Sequence, residues 1–108
     1  MQVEPGLFVS NTSTDEWEHD PEVGGDIHVL CTGVGVEAGM SRFTEVDGPV
    51  SYTPPKRETL VVLEGTARIE LATGTVIELK PGDLASLPAG TECVWHITPP
   101  FKEFWIIA

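Results

Sequence analysis

Apolar and polar residues alternate along this chain in short bursts, and glycine and proline cut the bursts apart. The clearest burst is Ala67-Arg-Ile-Glu-Leu71, which puts Ala67, Ile69 and Leu71 on one face and Arg68 and Glu70 on the other. That is the two-residue period of a strand with one buried side. Ala72-Thr73-Gly74-Thr75 then reads as a hairpin turn into Val76-Ile77-Glu78-Leu79. Residues 26–32, 41–46, 59–63, 84–87, 92–97 and 101–107 carry comparable strand patterns. Between them stand Gly24-Gly25, Asp47-Gly48-Pro49, Pro54-Pro55, Gly65, Pro81-Gly82, Pro88-Ala-Gly90 and Pro99-Pro100, all turn formers. Only residues 14–20 suggest a helix. There Ser13 or Thr14 is placed to cap a single turn, with Glu16 and Glu18 near its positive end. Many short strands separated by turn signals predict an all-β barrel or sandwich.

A length of 108 residues makes one domain with one core. Six basic against 17 acidic side chains leave a formal charge of −11, which removes the basic surface that nucleic acid or an anionic membrane requires. No apolar run approaches the roughly 20 residues of a membrane-spanning helix. The opening Met-Gln-Val-Glu-Pro lacks the charged-then-apolar order of a secretion signal. Cys31 and Cys93 lie far apart and read as reduced thiols of a cytoplasmic protein rather than as a disulfide framework.

Two blocks carry more specific information: Glu58-Thr-Leu-Val-Val-Leu-Glu-Gly65 and Pro81-Gly-Asp-Leu-Ala-Ser-Leu-Pro-Ala-Gly90. They resemble the paired motifs of the cupin superfamily. Glu58 and Gly65 match the end of the first motif, and Gly82, Pro88 and Gly90 match the second. The resemblance runs from Gly39 to Ala108. It implies a double-stranded β-helix, a jelly-roll-like barrel, over residues 39–108, with residues 1–38 adding edge strands to a single domain. The metal-binding histidines usual in that superfamily align instead with Tyr52 and Pro54, or with Ser51 and Thr53, and with Cys93; Ile97 takes the asparagine position. An aromatic residue at the first of these positions, a retained Glu58 and the Cys93-Val-Trp95 triplet look like the branch of ureidoglycine aminohydrolase-like and ethanolamine-utilisation-type cupins.

Within that frame Glu58 shares an inward strand face with Leu60 and Val62. A carboxylate there either pairs with a cation such as Arg42, Lys56 or Arg57, or has its pKa raised and serves as an acid or base. Cys93 and Trp95 share a face. The thiol is a nucleophile, a ligand atom or a small space filler, and Trp95 is a pocket wall. Tyr52 offers a hydroxyl to a ligand, and an inward Arg42 would clamp a carboxylate. His28 reaches the barrel from an earlier strand. A transition metal needs three or four ligands. The aligned positions supply only Glu58 and Cys93, and His19, His28 and His96 form no short-spaced cluster. The expected protein is therefore a small-molecule-binding cupin without a metal cofactor, in which Glu58 and Cys93 are the candidate catalytic residues and Tyr52, Arg42, Trp95 and His28 the candidate ligand-binding ones. Its chemistry would be a proton transfer, isomerisation or hydrolysis with Glu58 as acid or base. The alternatives are a metal-dependent aminohydrolase or dioxygenase holding a divalent transition metal, and a non-catalytic sensing or dimerisation module. The apolar strand 101–107, if left as an uncovered terminal strand, would invite a second copy, so the expected partners are a small organic ligand and a homodimer mate.

Overall fold

A computed structural model describes residues 1–108. The chain is all-β, as the alternating pattern predicts, with strands β1 (Gln2–Glu4), β2 (Leu7–Phe8), β3 (Glu18–His19), β4 (Asp26–Cys31), β5 (Glu37–Phe43), β6 (Val50–Tyr52), β7 (Glu58–Leu71), β8 (Val76–Leu79), β9 (Leu84–Leu87) and β10 (Cys93–Ile107). No helix is long and apolar enough to cross a membrane. β1 and β2 form a small sheet of their own, and the other strands belong to one hydrogen-bonded system.

β7 and β10 run antiparallel along nearly their whole lengths, and each changes its outer neighbour half-way. Residues 101–107 of β10 pair with β5, whereas 93–95 pair with β6. Residues 58–61 of β7 pair with β9, whereas 67–70 pair with β8. Two layers result. One is ordered β3-β4-β5-β10-β7-β9 and the other β6-β10-β7-β8, and the same two long strands belong to both.

The corner between the layers is built at Gly65. Its φ is +76°, and a Cβ added there would press on the Pro100 carbonyl and come within 2.9 Å of the Phe101 Cα. The β7–β10 register jumps from Thr66↔Thr98 to Glu64↔Lys102 across this point. Glycine supplies both the left-handed conformation and the close approach. Here the structure departs from the sequence pattern, which treats Gly65 and Pro99-Pro100 as breaks. Instead an irregularity in pairing bends each strand without ending it, so two predicted pairs of strands become two long ones. The inward face survives the bend with a one-residue slip, from Glu58, Leu60 and Val62 to Ala67 and Ile69.

Between the layers lies a core that includes Phe43, Leu60, Val62, Ile69, Trp95 and Phe101. The Phe101 ring meets Trp95 nearly edge-on, with centroids 6.5 Å apart, and Phe43 at 6.4 Å; both are favourable quadrupole arrangements.

The outer face of the β4–β5–β10 layer is covered too. Register pairs Asp26 with Arg42, Ile27 with Ser41 and His28 with Met40. Ile27 and Ser41 therefore face the interior, and Asp26, His28, Met40 and Arg42 face out. Residues 8–17 lie across this outer side: Ser10 Oγ is 2.7 Å from His28 Nε2, the Glu16 carbonyl is 2.8 Å from His28 Nδ1, and Lys102 Nζ donates to the Thr12 carbonyl. The helical turn expected at 14–20 does not form. Thr14 Oγ1 accepts the Glu16 N–H, the Thr14 carbonyl accepts the Trp17 indole N–H, and Glu18–His19 become β3. Local side-chain bonds have replaced the helical ones. β10 also differs from its expected place. It is flanked by β5 and β6 on one side and β7 on the other, so it is a central strand and presents no free edge to a second copy.

Candidate functional site

Alternation along three strands aims a small set of polar groups into one space between the layers. β7 turns Glu58 inward with Leu60 and Val62; β10 turns Glu103 inward between Phe101 and Trp105; β6 brings Tyr52 opposite Cys93, beside Trp95. Tyr52, Glu58, Trp95 and Glu103 line a cavity of about 140 Å³, with Phe43, Phe101 and Trp105 among its apolar walls. Ser41 also lines it and accepts the Trp105 indole N–H at 2.9 Å. Asp20, Glu22 and Glu37 stand around the same space, the two glutamates exposed to solvent.

The two inner carboxyls are buried, Glu58 at 4% exposure and Glu103 at 6%. Neither has a basic partner. Tyr52 donates its hydroxyl proton to Glu58 Oε1 at 2.7 Å. Burial raises the Glu58 pKa above the usual carboxylate range, the Tyr52 hydrogen bond pulls it back in part, and the Glu22 charge adds to the rise. Glu103 is pushed up to about 8, first by burial and then by the charge of Glu58. Its Oε2 has no hydrogen-bond partner. The Tyr52 hydroxyl is held firmly protonated by burial and by its bond to Glu58. At neutral pH the cavity thus contains one carboxyl that keeps its proton and another whose ionised form has a hydrogen-bond donor in place. Carboxyls held in such different settings are suited to separate acid and base roles.

Of the residues singled out by sequence, Tyr52, Glu58 and Trp95 come together here. Three do not line this cavity. Cys93 is buried beside the space, packed in the core, with its thiol donating to the Thr91 carbonyl at 3.4 Å. Burial and the Glu58 charge raise its pKa, which disfavours the thiolate a nucleophile needs. Arg42 faces outward, where it pairs with Asp26 at 2.9 Å and lies 4.5 Å from the Trp17 ring centroid. It cannot clamp a ligand inside the barrel from that face. His28 is on the same outer face, held by Ser10 and Glu16. Strand parity decides both cases, because each residue is one step out of phase with an inward neighbour, Ile27 or Ser41. Glu103 is the residue that sequence reasoning missed. Its signal was an acid at the inward beat of Phe101, Glu103, Trp105 and Ile107, obscured by Phe104 and Ile106 on the alternate beat.

A transition metal does not fit this donor set. No group of three or more histidine, cysteine, aspartate or glutamate side chains is placed to hold one. The cavity is lined by five carboxyls, those of Asp20, Glu22, Glu37, Glu58 and Glu103, and by no histidine or cysteine.

Comparison with known proteins supplies the lineage. The profile of the EutQ-like cupin domain matches residues 36–104. Among curated proteins no sequence match was found. Among solved structures, a Salmonella typhimurium protein assigned as ethanolamine utilization protein Q is similar over 99% of this chain and 89% of its own, with a TM-score of 0.81 at 19% identity. KdgF from a Halomonas species is similar over 94% of this chain and 93% of its own, with a TM-score of 0.69 at 19% identity. The Clostridium difficile EutQ protein matches 82% of this chain and 64% of its own, with a TM-score of 0.63 at 21% identity. At such identities the likeness is one of fold.

Proposed function

We propose that this chain, which belongs to the family of EutQ-like cupin domains, binds a small organic molecule between its layers and moves a proton on it without a metal. The observation that carries this reading is the pair of buried carboxyls, Glu58 and Glu103, facing one cavity with no basic group to neutralise either. Glu58, with Tyr52 donating to it, is the base that takes the proton and returns it. The volume of about 140 Å³ is well under the roughly 300–1,000 Å³ of sites for drug-sized ligands, so the molecule is small. Trp95 and Phe101 give it apolar walls, beside which electrostatic interactions are stronger than in open water. Cys93 has no part in the reaction.

Solvent exchange tests this directly. The protein is incubated in heavy water with small carbonyl and imine compounds, and loss of their C–H signals is followed by proton NMR. The expected result is accelerated exchange of at least one compound, slowed about 100-fold or more in Glu58→Gln, the scale of a lost general base. Exchange that is equally fast in Glu58→Gln, or none above background with any compound, would refute the proton-transfer role.

A further inference from the structure

Asp20, Glu22, Glu37, Glu58 and Glu103 all line the cavity, and no lysine, arginine or histidine does. On a chain of net charge −11 acids crowd together by chance, so the cluster alone means little. Two further observations give it direction. The buried Glu103 lines the space with its Oε2 unpartnered, and Trp95, equally buried, leaves its indole Nε1 without an acceptor. Buried polar atoms lacking partners are rare, since each has given up its hydration for nothing. The walls around them are aromatic, from Tyr52, Trp95, Phe101 and Trp105, and ring faces attract positive charge.

We infer that the ligand is a small organic cation, an ammonium group seated among the aromatic rings against Glu103. The inference rests on the cavity being the ligand site and adds the sign of the ligand's charge. An anion meets acidic groups on every side, and no basic residue of the wall offsets the repulsion. A neutral molecule makes no use of the rim, where exposed Glu22 and Glu37 draw cations in from solution and lose that pull as salt rises.

A cation beside Glu103 stabilises its ionised form and so displaces its proton. Binding below the Glu103 pKa of about 8 therefore releases up to one proton per ligand. Affinity rises by up to about tenfold per pH unit towards that value and levels off above it. Tetramethylammonium has no proton of its own and makes the cleanest probe.

The experiment is calorimetric titration of the wild-type protein with tetramethylammonium and ethylammonium, and with tert-butanol and pivalate as neutral and anionic controls. Each is measured at pH 7 in phosphate and in HEPES, which differ in ionisation heat. Both cations are expected to bind with a dissociation constant of about 1 mM or tighter, with a heat that differs between buffers by the released proton. In Glu103→Gln the buffer dependence should vanish and affinity fall about tenfold or more, while the melting temperature at pH 8 stays at or above wild type. Cations that fail to bind, or that bind Glu103→Gln equally well, overturn the inference. If tert-butanol or pivalate binds instead, and does so dependent on Glu103 or Trp95, the charge assignment falls while the cavity remains the ligand site. The solvent-exchange experiment judges the proton-transfer reading separately.

Discussion

The two long strands treat their two halves very differently. Past the corner, residues 66–71 of β7 and 93–98 of β10 turn Ala67, Ile69, Cys93, Trp95 and Ile97 into the interior. Before it, residues 58–64 of β7 and 101–107 of β10 turn in Leu60, Val62, Phe101 and Trp105, and also Glu58 and Glu103. Both halves are equally buried and made by the same pair of strands, yet only one of them buries acids. An apolar face of this size is what a stable fold requires, whereas two uncompensated carboxyls make it less stable. The difference separates what holds the barrel together from what it holds the barrel together for.

The sharpest way to break the comparison is to damage the apolar half. Ile69 is fully buried, so Ile69→Ala should lower the unfolding free energy by about 2–5 kcal/mol, with little dependence on pH, in denaturant titration. A smaller loss would mean the packed half contributes less than its burial implies.

The next effect has the opposite sign. Unfolded, Glu103 ionises at an ordinary value of about 4.3; folded, it keeps its proton up to about 8. Between these values the folded state holds the extra proton, so this group's contribution is fully present below about pH 4, shrinks as pH rises and is gone beyond about 8. Glu103→Gln removes that loss. The variant should match wild type near pH 4 and exceed it by a few kcal/mol, on the order of 2 or more, at pH 8. Melting curves across this range decide the matter, and a gap that does not widen with pH would show that Glu103 titrates normally.

The smallest effect concerns Tyr52. Tyr52→Phe deletes the hydroxyl that donates to Glu58, at about 1 kcal/mol of stability. Since that bond lowers the Glu58 pKa, its loss should raise the pKa further, which carbon-detected NMR titration of the Glu58 carboxyl would register. A carboxyl unmoved by the change would leave Tyr52 a wall residue only.

Much of this was legible in the chain, and the failures share one cause. Period-two alternation exposed the strands, and an acid at the inward beat of Leu60 and Val62 exposed Glu58. Alternation reveals direction only when one face of a strand is wet. Around β4, β5 and the second half of β10 both faces are covered, the inner by the opposite layer and the outer by residues 8–17. Met40, Phe104 and His28 are therefore buried or half-buried on the outside. With apolar residues on both beats, Arg42 and His28 read as inward as easily as outward, and Glu103 was hidden between Phe104 and Ile106. The corner escaped notice for another reason. Gly65 and Pro99-Pro100 have the composition of turns, and only their facing each other across a pair of strands makes them a bend.

The position of β10 also bears on how the chain comes to be folded during synthesis. As residues emerge in order, β3, β4 and β5 can associate with one another, and β7 can associate with β8 and β9, but these two pieces share no pairing. β6 has no partner except β10. Both layers thus wait for residues 93–107, and until those leave the ribosome the open edges of β5 and β7 are exposed to other chains. The strand made last in this fold is the one that joins the rest, and a translation pause before it would be a time of aggregation risk.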